Sequence, residues 1–157
     1  MKIETRKFGA IDVQDDQKIV FVQPIIGFPH LLNFAVVDTG GPVKWLQSLD
    51  DEAVVFPVAD PFAIKPDYDI ELPSSEASML EVDRVEDVQL LAIIVLSKHA
   101  DGTRANLKAP IVINRRTRAA KQVVLSDNSL PIRYRFILAD NQSNKEVANV
   151  GSYSQER

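Results

Sequence analysis

The stretch Val88-Gln89-Leu90-Leu91-Ala92-Ile93-Ile94-Val95-Leu96-Ser97 decides the fold class. Its apolar run, Leu90 to Leu96, is the longest in the chain and does not alternate with polar residues, so both faces of the strand it forms must be covered. A strand at the centre of a closed barrel or a sandwich meets that requirement. The run is far short of the roughly 20 residues that a membrane-spanning helix needs.

Outward from this segment, short groups of Val, Ile and Phe recur between Pro, Gly, Asp and Asn, the punctuation of a mostly β protein. The pattern predicts strands at Lys2–Lys7, Lys18–Gln23, Phe34–Asp38, Val54–Ala59, Asp67–Leu72, Val88–Ser97, Arg104–Asn114 and Lys121–Leu125. Lys2, Glu4 and Arg6 alternate with Ile3 and Thr5, which places the first strand at an edge or on the outside. Two short helices are expected, one at Val43–Leu49 after Gly40-Gly41-Pro42, the other at Ser74–Leu80 with the Ser74 hydroxyl as its cap.

A chain of 157 residues fits one domain around a single core. The expected architecture is a small closed or nearly closed β-barrel or sandwich over residues 1–136, followed by a polar, flexible tail at 137–157. There is no cysteine, which removes disulfides, thiolate nucleophiles and cysteine zinc sites and suits a reducing compartment. The amino terminus lacks the hydrophobic stretch of a signal peptide, so a cytoplasmic location is expected, with no membrane association.

The net charge of −4 conceals an asymmetry. Residues 1–87 carry 17 acids and 7 Lys or Arg, a sum of −10, whereas residues 88–157 carry 5 acids and 11 Lys or Arg, a sum of +6. An acidic face would steer a basic partner toward it.

A search for chemistry returns little. His30 and His99 sit in separate segments without ligand spacing, and Gly40-Gly41 runs into Pro42, which lacks the amide hydrogen of a phosphate cradle. No catalytic residue, metal site or cofactor is assigned. Asp67, Asp69 and Glu71 share one face of an extended segment and are the nearest approach to a cation site, the basis of a rival reading as a metal-dependent hydrolase. Arg104, Lys108, Arg115, Arg116 and Arg118 support the first alternative, ahead of the hydrolase: an oligonucleotide-binding small barrel, although no aromatic residue lies between Arg104 and Leu125 for bases to stack on.

Four blocks carry a family resemblance: Gly27-Phe28; Trp45-Leu46-Gln47-Ser48 continuing to Phe56-Pro57-Val58 and Asp60-Pro61; Asn106-Leu107-Lys108-Ala109-Pro110-Ile111-Val112-Ile113-Asn114; and Gln122-Val123-Val124-Leu125. Together they make the chain resemble the FliW family of flagellar assembly factors, with Pro24 standing where the family often has Gly. The resemblance implies a small β-barrel-like monomer without cofactor or direct nucleic-acid binding. It also implies two protein partners, flagellin before export and the translational regulator CsrA, whose repression of flagellin translation is relieved when the factor binds it.

Within these blocks the residues have structural readings. Trp45 and Leu46 are expected in the core, Asp60-Pro61 in a tight turn and Pro110 at a strand edge or bulge, with Gln47, Asn106, Lys108, Asn114 and Gln122 as mainly structural members of the motif. Partner contact is assigned instead to the acids Asp67, Asp69 and Glu71 and to apolar residues of an exposed edge, Val123, Val124 and Ile132.

Overall fold

The structure is a computed structural model and describes residues 1–99 and 102–138. Among the described residues eleven strands run in chain order: β1 (Lys2–Thr5), β2 (Gly9–Asp12), β3 (Ile19–Phe21), β4 (Asn33–Asp38), β5 (Lys44–Ser48), β6 (Val55–Ala59), β7 (Val88–Val95), β8 (Arg104–Ala105), β9 (Ile111–Asn114), β10 (Ala119–Gln122) and β11 (Tyr134–Arg135). Two short helices, α1 (Pro61–Ile64) and α2 (Ser74–Met79), fall between β6 and β7.

Seven strands close a barrel in the order β3-β4-β5-β6-β7-β9-β10, with β10 returning parallel to β3. β7 closes it. One side of this strand pairs with β6, and the other pairs first with β9 through Val88–Leu91, then with β8 through Ile94 and Val95. β1 and β2 form a separate hairpin.

The apolar run in β7 divides by period two between two cores. Leu91 and Ile93 face a cluster to which every barrel strand contributes: Ile19 and Phe21, Phe34, Leu46, Val58, Ile111 and Ile113, and Ala120. That is the barrel interior. Phe21 and Phe34 meet edge to face at 5.0 Å, as do Phe28 and Phe56, contacts worth about 0.5–1.5 kcal/mol each beyond area burial. Gly27 (φ +94) turns the chain after β3 so that Ile25, Phe28 and Leu31 pack against this interior.

Leu90, Ala92 and Ile94 face outward, yet they are 9%, 0% and 2% exposed, because the rest of the chain wraps over them. The cover is a strap from Pro61 to Val82 carrying Tyr68 and Leu80, together with Leu107, Val123, Leu125 and Leu138. The expectation that both faces of the central strand are covered holds, with a chain-made wrap on one of them.

Several local expectations are corrected. Val43–Leu49 is not helical: Lys44–Ser48 is β5, paired across five positions with β4 through a reversal at Gly40 (φ +96), and the ladder overrides local preference. Asp67–Leu72 joins no ladder among the described residues, although its alternation survives, with Tyr68 buried and Asp67, Asp69 and Glu71 exposed. Arg104–Asn114 is two strands, β8 and β9, parted by a loop that ends at Pro110. Lys121–Leu125 shifts to Ala119–Gln122. The cap of α2 is Pro73, with no side-chain hydrogen bond from Ser74, and Asp60-Pro61 opens the one-turn α1, Asp60 Oδ1 accepting from the Phe62 amide at 2.9 Å. Leu138 packs into the outer core beyond the expected boundary at residue 136, and the rest of the expected tail lies outside the described residues.

Candidate functional site: an acidic groove on the wrapped face

The strap is pinned at three points. Tyr68 Oη donates to the Leu107 carbonyl at 2.7 Å, and burial pushes its phenol up to about 12. Lys121 and Glu76 form a half-buried ion pair at 2.5 Å that joins α2 to β10. Asn114, fully buried, donates through Nδ2 to the carbonyls of Leu80 and Glu81, while its Oδ1 accepts from the amides of Arg116 and Thr117.

Between the strap and the segment after β10 lies an open groove of about 480 Å³, lined by residues 69–74 on one side and by Leu125, Ser126, Asp127 and Leu130 on the other. Its accessible lining is more polar than apolar, and the apolar side chains that reach it are the half-buried Ile70, Leu72 and Leu130, with Leu125 4% exposed behind them. Its rim is acidic. Asp69 and Glu71 are exposed on one wall and Asp127 on the other. The Ser129 hydroxyl and amide donate to Asp127 at 2.7 and 2.9 Å and, with the nearby Lys108 ammonium, hold its carboxyl below the ordinary value of 3.8. No Lys or Arg lines the groove, and none of its three acids forms an ion pair among the described residues.

The structure separates the residues that sequence reasoning grouped. Asp67 leaves the other two acids and pairs with Lys65 at 2.6 Å, which lowers its carboxyl from 3.8. Val123, expected on an exposed edge, is 1% exposed and belongs to the outer core, since its amide is tied to the Pro110 carbonyl. Val124 and Ile132 remain open, 56% and 58% exposed. Asp127, Leu125 and Leu130 were missed, because only the wrap brings them opposite Asp69 and Glu71.

The motif residues hold loops in place. Gln47 is fully buried, its Nε2 donating to the carbonyls of Ser48, Glu52 and Val54 across the β5–β6 turn. Asn106 Oδ1 accepts from the Lys108 and Ala109 amides, and Gln122 links the Ile26 amide to the Ala109 carbonyl. Lys108 Nζ donates to Asn128 Oδ1 at 3.0 Å. Leu46 and Trp45 serve different cores: Leu46 points into the barrel, while Trp45, half-buried, packs against the outer core with Lys7 Nζ 4.3 Å from its ring centre.

Neither rival gains a site. Among the described residues no three His, Asp or Glu side chains converge as metal ligands. Arg104 pairs with Val95 and the Arg115 amide bonds to the Asp87 carbonyl, so the basic residues stand at opposite ends of β7, roughly 23 Å apart at about 3.3 Å per residue. Among the described residues no helix is long and apolar enough to cross a membrane.

Residues 2–137 match the family model described as FliW protein. The chain belongs to the FliW family. The FliW of Syntrophus aciditrophicus is 42% identical over 136 residues, covering 85% of this chain and 86% of that one. The FliW of Caldicellulosiruptor saccharolyticus is 38% identical over 133 residues, covering 84% and 88%, and both relatives are described as flagellar assembly factors. A crystal structure of the flagellar assembly factor FliW superimposes with a TM-score of 0.79 at 33% identity, covering 86% of this chain and 96% of that one. The wrapped β-barrel is therefore the FliW fold.

Proposed function

We propose that this chain is a non-catalytic regulator of flagellar assembly that acts in the cytoplasm as a monomer, binding flagellin and the translational regulator CsrA and so relieving repression of flagellin translation. Membership of the FliW family along residues 2–137 carries this reading. The surface agrees with it. The polar residues of the family motifs are occupied in holding loops, which leaves the exposed acids Asp69 and Glu71, with Asp67 beside them in its pair with Lys65, and the apolar Val124 and Ile132 for recognition.

The test is capture by the tagged full chain of purified flagellin and purified CsrA, each alone and then in competition. Binding of both supports the reading, and binding of neither overturns it. If acidic steering sets the on-rate toward CsrA, raising the salt so that the Debye length falls from about 10 Å to about 3 Å slows association markedly. A salt-independent rate removes the steering.

A further inference from the structure

The groove between the strap and the segment after β10 brings three carboxylates beside the side chains of Leu125 and Leu130, and among the described residues the Lys108 ammonium stands next to one of them, Asp127. A single metal ion does not suit it, because the carboxylates stand on opposite walls and do not converge. An anionic ligand or lipid surface would be repelled, and a purely apolar ligand would leave the rim without partners.

We infer that this groove docks a short basic segment of a protein partner, one that presents a leucine-sized side chain to Leu125 and Leu130 between lysines or arginines that meet Asp69, Glu71 and Asp127. The inference deepens the proposed protein-binding role and rests on it for the biological source of the segment. The chemistry follows from the walls. Asp69 and Glu71, two residues apart, project from the same side of the strap, so cations at alternate positions of an extended segment match their spacing. Asp127 stays ionised into the acid range because its own turn and Lys108 favour the charged form. The leucine supplies affinity through burial and the flanking cations supply orientation and on-rate.

The experiment titrates the full chain with a blocked hexapeptide of alternating leucine and lysine, following amide shifts by NMR. Two control peptides, one of alternating leucine and glutamate and one of alternating serine and lysine, separate the roles of charge and apolar contact. The isosteric triple variant Asp69→Asn, Glu71→Gln, Asp127→Asn removes the rim charge. A second triple variant, Asp15→Asn, Asp16→Asn, Asp83→Asn, makes the same change of net charge on exposed residues outside the groove.

The expected result is shifts confined to residues 69–74 and 125–130 with the leucine-lysine peptide, weakened about tenfold or more by the rim variant and little by the remote one. Equal affinity in both variants, shifts mapped elsewhere, or equal binding of the serine-lysine peptide overturns the inference. Capture of flagellin and CsrA by the same variants keeps the two conclusions apart. Loss of both partners by the wild-type chain defeats the proposed function whatever the peptides do. Undiminished capture of both by the rim variant defeats the groove as their dock and leaves the function standing.

Discussion

Asn114 Nδ2 donates to the Leu80 carbonyl at 2.9 Å, so the last residue of β9 holds the end of the strap against the barrel. The same side chain accepts from two amides of the β9–β10 turn, which makes one buried amide the joint between wall and wrap. Replacing Asn114 with Ala leaves the Leu80 carbonyl and those turn amides without their partner. We expect a loss of about 2–4 kcal/mol, from one to three kcal/mol per unsatisfied buried group with partial recovery by water. Urea denaturation followed through Trp45, the only tryptophan, measures it, and a loss under about 0.5 kcal/mol, the scale of an ordinary surface substitution, contradicts the role.

Tyr68 provides a pH signature. Its phenol is raised from 10.0 to about 12 by burial, so the folded state favours the protonated form. The resulting stability is fully present below pH 10 and is lost as the pH rises toward 12. Tyr68→Phe removes the bond to Leu107, costs about 1–2 kcal/mol at neutral pH and flattens the alkaline decline. Urea midpoints at a series of alkaline pH values for both proteins provide the comparison, and parallel declines count against the assignment.

Asp50 acts at the acid end. Burial pushes its carboxyl up, but the Asn33 and Leu32 amides and the Asn33 side chain outweigh that and hold it below 3.8. The stability it contributes is present above that value and disappears as the pH falls through the lowered folded value. Asp50→Asn should therefore lose stability at neutral pH and show a shallower fall below pH 4, about the ordinary carboxylate range. Thermal unfolding between neutral and acid pH reads both slopes, and identical slopes refute it.

The pair Lys121–Glu76 is half-buried, with side chains 13% and 21% exposed. Removing either partner alone strands a charge, so Lys121→Met and Glu76→Gln should each cost more than the double variant relative to additivity, with a coupling of about 1 kcal/mol or more. A double-mutant cycle in urea tests this. Additive losses mean that the pair does not fasten α2.

Leu46 faces the barrel interior and is fully buried, whereas its neighbour Trp45 lies outside. Leu46→Ala should cost about 2–5 kcal/mol. Lys7→Ala, which only uncovers the Trp45 ring, should cost about 0.5–1 kcal/mol. Reversal of that order, measured by urea denaturation, would show that the two faces have been exchanged.

The β class and the covered central strand were legible because strand periodicity and an unbroken apolar run are local properties of Leu90–Leu96. The β5 strand was not, since Val43, Leu46 and Leu49 recur every three residues and fit a helix as well as a half-buried strand. The outward alternation of Asp67, Asp69 and Glu71 could be read correctly even though the segment joins no ladder among the described residues, because side-chain direction follows extended backbone whether or not it is paired. That Val123 is buried and Val124 exposed could not be read, as the choice depends on which face meets the Pro110 loop.

Taken alone, the chain determined its class, its lack of cysteine chemistry and the residues that resemble FliW, because composition and short-range pattern do not depend on where the chain folds back. The tertiary structure decided how seven strands close, which residues wrap the outer face, and that Asp127 lines the same groove as Asp69 and Glu71. Such a juxtaposition joins segments far apart in the chain, and only the burial of apolar surface common to both brings their charges together.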